Sequence, residues 1–405
     1  MLGTLLSDQH VYIYGAGFAG LSFAYRMKKL NIPFTLYEKE KIGGKISTKM
    51  TSFGPAEAAA STLYMNADAE NFLEEIRLPY IMANKKLKRW IWKENGPVSP
   101  INLKLLARLL WKAPRRFPEV TEESTVEDVF LPLLGKKYID ELLSPALQGI
   151  HGAEARDLHF LSIFPMAREK KFSNYIDFFK SLKKDMKKEA AIKIKGSVSF
   201  NGGMQALIDR LHNEVNEHIK PMPVDFTLKP NTVICTTANE AAILLRQVEP
   251  LIANELKNIE YRPITSLSFF VKNDLPILKK SFGMLIPQQY GSSILGIIHQ
   301  SEVFPQNYTA HCYSAVCKGL LDEKIIFTQM KNILKDFEEK KVLEYSLSSW
   351  KTGLPLYDNK RSKAVQAIGR MLEKKPGLML FGNYTNGISL RSMIGQTKSI
   401  PFSKT

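Results

Sequence analysis

Residues 11–46 read VYIYGAGFAGLSFAYRMKKLNIPFTLYEKEKIGGKI, in order a short strand, a glycine turn, a helix, a second strand, an acidic residue and a second glycine turn. Val11–Tyr14 is a short apolar run that leads into Gly15-Ala16-Gly17-Phe18-Ala19-Gly20, the G-x-G-x-x-G spacing. Leu21, Ala24, Tyr25 and Lys28 then recur at helical intervals. In such a unit Gly15 allows the tight turn and Gly17 lets the main chain approach a pyrophosphate at the helix N-terminus. Gly20 lets the helix pack closely on the strand. Phe34–Tyr37 predicts the second strand, closed by Glu38 at roughly the twenty-residue offset where a carboxylate accepts hydrogen bonds from a ribose diol. The stretch predicts a dinucleotide cradle with Gly15 through Gly20, Glu38 and the adjoining Lys39 as contacts. The carboxylate favours an unphosphorylated ribose, hence FAD or NAD over NADP.

The rest of the chain limits what is built around the cradle. With 405 residues, of which 44% are hydrophobic, it can bury two or three sizeable cores and needs neither a disulfide nor a metal to fold. Cys235, Cys312 and Cys317 form no C-x-x-C pair and have no histidine cluster near them in sequence, so zinc and disulfide frameworks are not expected and a reducing compartment is. About ten residues precede Val11, too few for a leader, and no apolar run approaches the roughly twenty residues of a bilayer span. A cytoplasmic protein is expected, with the inner face of the membrane as a possible site. The net charge of +16 is the outlier and gathers at Lys85–Arg89, Arg115-Arg116 and Lys180–Lys195. Three readings stay open: a solvated surface, contact with anionic lipid, or nucleic acid, the last without a recognised binding module.

The second glycine turn, Ile42-Gly43-Gly44-Lys45-Ile46, resembles the G-G-R segment of the flavin amine oxidase superfamily, and that resemblance selects FAD. It adds Gly43, Gly44 and Lys45 to the contacts. Lys45 replaces the family's arginine and keeps the charge without the planar fork. Phe53-Gly54-Pro55-Ala56-Glu57 matches the segment that wraps back on the FAD, implicating Gly54, Pro55, Ala56 and Glu57. Further along, residues 123–152 (ESTVEDVFLPLLGKKYIDELLSPALQGIHG), Ser199–Leu207, Gly283–Pro287 and Ser301–Pro305 resemble the oxygen-dependent protoporphyrinogen oxidases. So does residues 377–390 (GLMLFGNYTNGISL), in which Asn386 stands where the family has glycine. That segment implies contacts at Gly382, Asn383, Gly387, Ile388, Ser389 and Leu390, with Gly387-Ile388-Ser389 opening a helix whose free N–H groups face a reduced flavin. No cysteine lies in it, so the FAD is expected to be non-covalent.

The resemblance implies an α/β fold with a Rossmann-like FAD-binding domain in three parts (8–66, 190–250, 365–405), a helical domain (67–170) and a mixed-sheet substrate domain (255–357). In detail, helices are expected over 101–150, with an apolar face of Leu103, Leu105, Leu106, Leu109 and Leu110. A capping box at Ser124–Glu127 starts a helix cut short by Pro132. A hairpin turns at Asn95-Gly96, and a long helix covers Lys324–Lys341. The family's strand meander after Leu211 is shortened here, and no adenine contact is assigned. The implied activity is oxidation of a porphyrinogen, with Gly149 and, more loosely, Lys104 near the substrate. An amine or polyene substrate on the same fold, or a flavin-binding protein without turnover, are the alternatives. No catalytic side chain is assigned, and His151 reads as a packed or solvated histidine, because the flavin carries the redox chemistry.

Overall fold

Val11, Ile13 and Tyr14 are fully buried, so the strand they form must be covered on both faces, the usual situation of a central parallel strand. The computed structural model of the protein describes residues 1–7, 9–94, 96–190, 193–385 and 387–403. In it Val11–Tyr14 pairs in parallel with Phe34–Glu38 on one side and Thr232–Ile234 on the other. Ile219–Pro221 and Leu378–Leu380 extend the parallel run outward. Helix Phe18–Lys29 lies against helices Gln205–Val215 and Leu390–Lys398, and Leu21, Phe23 and Met27 join Leu207, Leu211 and Ile394 in one core.

Two features of this sheet depart from the sequence expectation. Leu2–Leu6 is the first strand, antiparallel to Leu378–Leu380, and Phe402–Ser403 pairs with it in parallel. Its pattern is hidden by Gly3, where φ is 97° and a Cβ would stand 2.2 Å from the Leu378 carbonyl oxygen. The shortened meander also retains a strand, Ile219–Pro221, continued by a hydrogen bond from Met222 N to Glu38 O at 2.8 Å.

The second seven-stranded sheet is mixed. Its order is Val342–Pro355, Tyr261–Val271, His311–Lys318, Ile294–His299, Ser281–Leu285, Lys88–Lys93 and Gly96–Val98. The hairpin Lys88–Val98 thus joins this sheet, with Lys93 opposite Gly96 and Pro97 on the edge strand, where its missing donor costs nothing. Asn95 lies outside the described residues. One face packs Phe269, Ile297 and Tyr313 on Phe327 and Met330 of helix Glu323–Ile333. That helix stops eight residues short of the expected Lys341, because Leu334 and Phe337 turn into the same core.

The helical region centres on Phe117, Phe130, Phe160, Tyr175 and Phe178. Its capping box is one residue later than expected, with Thr125 as cap and Asp128 as its reciprocal partner. Pro132 does not end this helix, which runs to Tyr138 and departs from helical geometry only at Gly135 (φ 72°). At that departure Arg108 Nε donates to the Leu133 carbonyl at 2.9 Å and its guanidinium lies beside Gly135. Helix Leu103–Lys112 has the expected apolar residues, but only Leu105 is buried, while Leu103 and Leu110 are 84% and 80% exposed.

Candidate cofactor site

Because the strands are parallel, their carboxyl ends share one edge of the sheet, the place where open α/β sheets bind ligands. Gly15 leaves Tyr14 at this edge, Glu38 ends its strand there, and the segments after Ile234 and Leu380 emerge beside them. Gly15 has φ 100° and is tied by its N–H to Tyr37 O at 2.8 Å. A Cβ on Gly20 would meet Gly15 O at 1.8 Å, so the helix can approach the loop only because Gly20 has none. Gly17 is different: its φ of −68° suits any residue, and no described atom lies within 4 Å of where its Cβ would be. Gly17 is also the cap of helix Phe18–Lys29, which has no side-chain cap among the described residues and no acidic residue in its first turn. Phe18, Ala19 and Gly20 are buried. An uncapped, positively polarised helix end beside open space suits a phosphate.

Glu38 sits against this loop. One carboxylate oxygen accepts from Ala16 N at 2.5 Å and the other from Lys39 N and Glu40 N, both at 2.9 Å. The second glycine pair is brought to the same place, with Gly43 N donating to Ala16 O at 2.8 Å and Gly43 bridging Gly17 as a parallel neighbour. Both Gly43 (φ 93°) and Gly44 (φ 57°) use left-handed backbone. Lys45 points elsewhere: its ammonium donates to the carbonyls of Thr352 and Gly353, the latter at 2.9 Å, at the end of the mixed sheet. Burial in this crevice lowers its pKa to about 8.

Gly54–Glu57 forms a strand paired with Thr48–Thr51 instead of a break in extended structure. Gly54 backs onto Asn307 and Tyr308, while Pro55 and Ala56 face Met50 and Lys49 across the hairpin. Glu57 is buried and accepts from Thr48 Oγ1 at 2.7 Å and Met204 N at 2.9 Å, and Thr48 Oγ1 also accepts from Gln205 N. This pair caps helix Gln205–Val215, and desolvation pushes the Glu57 pKa up to about 7. Glu57 therefore joins two of the motifs that carried the resemblance.

The C-terminal segment returns beside the glycine loop. Gly382 follows Phe381, whose N–H donates to Ile234 O, and the chain turns with Thr385 Oγ1 donating to Gly382 O at 2.8 Å. Asn386 lies outside the described residues. The expected helix opening at Gly387-Ile388-Ser389 is corrected here. The helix spans Leu390–Lys398, Ser389 is its cap, and its hydroxyl accepts from Ser392 N at 3.3 Å. The Gly387 N–H is not free, because it donates to the Tyr357 hydroxyl at 3.0 Å.

That hydroxyl belongs to a support that the sequence did not reveal. Tyr357 Oη donates to Asn383 O at 2.6 Å while accepting from Gly387 N, so it ties both ends of the turn. Arg361, also buried, donates through Nε to Tyr384 O at 2.8 Å and through Nη2 to Thr385 O, with its guanidinium carbon 3.6 Å from the Tyr357 ring centre. Three successive carbonyls, 383 to 385, are thus held from below. His151 lies beside Tyr357 with ring centres 5.6 Å apart and the rings tilted by 55°, and its buried Nδ1 has no partner among the described residues. Burial, with the charge of Arg361 as a lesser cause, lowers its pKa to about 4, so it is neutral at pH 7. Gly149, on helix Ser144–His151, is exposed and faces Leu285 of the mixed sheet. Lys104 is exposed on helix Leu103–Lys112.

Fold and loop geometry together define the class: an α/β protein with a Rossmann-like dinucleotide-binding domain, backed by a mixed sheet and a helical region. Residues 13–76 match the family model described as an NAD(P)-binding Rossmann-like domain. The relatives make this more particular. The chain is 26% identical to protoporphyrinogen oxidase 2, chloroplastic/mitochondrial, of Arabidopsis thaliana, over 96% of this chain and 92% of that protein. It is 20% identical to coproporphyrinogen III oxidase of Bacillus subtilis, over 96% and 97%. Among solved structures, one from Exiguobacterium sp. 255-15, provisionally described as a protoporphyrinogen oxidase, superposes with a TM-score of 0.75 at 17% identity, covering 97% of this chain and 98% of that one. The resemblance and the fold class read from the motifs are borne out.

Proposed function

We propose that this chain is an FAD-dependent oxidoreductase that converts a porphyrinogen to the porphyrin. The observation that carries the reading is the meeting of the two glycine turns and the C-terminal turn at one sheet edge, in a chain similar to porphyrinogen oxidases along nearly its whole length. In this reading the segments 8–66, 190–250 and 365–405 make up the cofactor domain, 67–170 the helical domain and 255–357 the substrate domain. The uncapped helix end at Gly17 through Gly20 takes the pyrophosphate. Glu38 takes the ribose after exchanging its bond to Ala16 N. Gly43, Gly44 and the turn from Gly382 to Leu390 flank the rest of the cofactor, held by Tyr357 and Arg361. When bound, FAD accepts the hydrogens removed from the substrate and passes the electrons to oxygen or another acceptor.

The protein's own part is to position, to exclude water and to set charge. Lys45 brings a buried ammonium to the end of the mixed sheet, and neutral His151 lies beside Tyr357, whose ring carries the Arg361 guanidinium. Gly149 lies within van der Waals reach of Leu285, and in this reading a flat apolar macrocycle lies along the mixed sheet beside them. The absorbance spectrum of the purified protein, followed by anaerobic addition of protoporphyrinogen, tests the reading. Bleaching of the flavin band with appearance of porphyrin is expected. A yellow protein that stays oxidised overturns the substrate, and a colourless one that cannot take up FAD overturns the cofactor.

We further propose that the protein docks on anionic membrane surfaces. Among the described residues no helix is long and apolar enough to cross a membrane. Helix Leu103–Lys112 instead exposes Leu103, Leu106, Leu110 and Trp111, flanked by Lys104, Lys112, Arg115 and Arg116. An exposed apolar stripe bordered by cations fits the interface of an anionic bilayer. Leu103→Glu with Leu110→Glu should abolish sedimentation with phosphatidylglycerol vesicles at low salt. Unchanged sedimentation removes this helix as the contact.

A further inference from the structure

The mixed sheet carries a cluster that the cofactor site does not use. Strand pairing sets Val271 opposite His311 and His299 opposite Tyr313, so the ends of three strands converge, and Asp274 lies three residues past the end of the first. The Asp274 Oδ1 lies 3.8 Å from His299 Nε2 and 4.0 Å from His311 Nδ1, and one ligand atom from each of the three residues falls within 4.8 Å of the others.

His299 is fully buried, and its Nδ1 is 3.1 Å from the Leu278 carbonyl oxygen. A carbonyl only accepts, so Nδ1 holds the proton and Nε2 presents a lone pair. That Nε2 is buried with no hydrogen-bond partner among the described residues, and it faces the carboxylate and the second imidazole. A histidine oriented by a backbone carbonyl through one nitrogen, with the other aimed at further donors, is how metal-ligating histidines are held. Asp274 is oriented by the Tyr313 hydroxyl, which donates to the same Oδ1 that faces the histidines and itself accepts from Leu275 N at 2.9 Å. His299 is fixed further by stacking on the Tyr313 ring at 4.2 Å between centres.

We propose that Asp274, His299 and His311 form a site for a divalent transition-metal ion, with zinc the best fit. Two neutral imidazoles and one carboxylate are the donor set of three-ligand zinc sites, in which a fourth position is left open. Here that position opens to solvent beside His311, whose side chain is 37% exposed. With metal–ligand bonds of about 2.0–2.2 Å, tetrahedral ligand atoms stand roughly 3.3 Å apart, so the carboxylate-to-imidazole gaps close by roughly half an ångström on binding. The cluster lies at the end of the sheet away from Lys45, and Ala56 packs beside it on Phe270 and Cys312. Strand Tyr261–Val271 runs from beside Lys45 at one end to the cluster at the other, ten residues or roughly 33 Å at about 3.3 Å per residue. Its role is to pin three strand ends of the mixed sheet, not to take part in flavin chemistry.

The test uses the full chain stripped with a chelator and titrated with zinc against a chromophoric competitor, with cobalt(II) as a spectroscopic probe. One equivalent should bind, cobalt should give the intense visible bands of a low-coordinate site, and the melting temperature should rise by a few degrees. His311→Ala, a partly exposed change that leaves buried His299 in place, should weaken binding by 100-fold or more while circular dichroism stays that of the wild type. Asp274→Asn should do the same. Absence of a one-equivalent site in the wild type overturns the proposal. So does undiminished zinc affinity in a folded His311→Ala protein.

Discussion

Gly17 and Gly20 occupy equivalent-looking places in one motif, yet the structure assigns their missing side chains to different purposes. A methyl on Gly20 collides with a main-chain oxygen at 1.8 Å, whereas one on Gly17 enters open space next to an uncapped helix end. Gly17→Ala should therefore fold. Its φ of −68° suits alanine, and the gain of about 0.4–1 kcal/mol from a less flexible unfolded chain offsets the weaker capping by alanine, so apoprotein stability should stay within about 1 kcal/mol of wild type. The methyl instead occupies ligand space. Overpacking of this kind costs about 1–3 kcal/mol, which corresponds to a loss of FAD affinity of about 5- to 150-fold. Titration of apoprotein with FAD, followed by quenching of flavin fluorescence, measures the loss, and calorimetry without FAD measures the stability. Gly20→Ala should fail on both counts, yielding little folded protein. Wild-type FAD affinity in Gly17→Ala would refute the placement of the pyrophosphate, and a fully stable Gly20→Ala would refute the close helix approach.

Three further predictions concern the supports of the site. Because burial raises the Glu57 pKa from 4.5 to about 7, both states are protonated below pH 4.5, and raising the pH ionises the unfolded chain first. Stability should thus fall by roughly 3 kcal/mol between pH 4.5 and 7 and level off above, and urea denaturation of Glu57→Gln should lack this slope. Tyr357→Phe strands the Asn383 carbonyl and the Gly387 N–H, and should cost about 1–3 kcal/mol in thermal unfolding while weakening FAD binding. Arg361→Met leaves the Tyr384 and Thr385 carbonyls buried without donors, for roughly 2–6 kcal/mol, and Arg361→Lys, which can reach fewer carbonyls, should recover only part of it. An Arg361→Met protein as stable as wild type would show that water replaces the guanidinium.

What could be read in advance was local. The glycine spacing, the strands around it and Glu38 are set by neighbours within some thirty residues, and the turn, helix and register follow from those residues alone. Tyr357 and Arg361 are different, because nothing in an ordinary amphipathic helix after Asp358 indicates that Arg361 turns inward to the 384–385 carbonyls. The same limit explains His299 and His311, which are scattered in sequence and meet only through sheet register. For helix Leu103–Lys112 the pattern was legible but its use was not, since amphipathicity does not say whether the apolar face meets a core or a bilayer. Leu2–Leu6 and Ile219–Pro221 were missed because strands this short, containing glycine or proline, carry almost no alternation.

The nucleotide sheet also imposes an order of events during synthesis. Val11–Tyr14 is made early, but its neighbour Thr232–Ile234 comes some two hundred residues later, and the next strand, Leu378–Leu380, another hundred and forty or so after that. At about 5–20 residues per second, the cradle waits roughly 20–70 s on the ribosome for its last parallel strand. Until Thr232–Ile234 is made, Val11 and Ile13 have one lateral partner, Phe34–Glu38, and an open edge on the other side. The nascent βαβ unit therefore carries an unpaired strand edge over that interval, and the FAD site closes only once Leu378–Leu380 and the turn after it have been made.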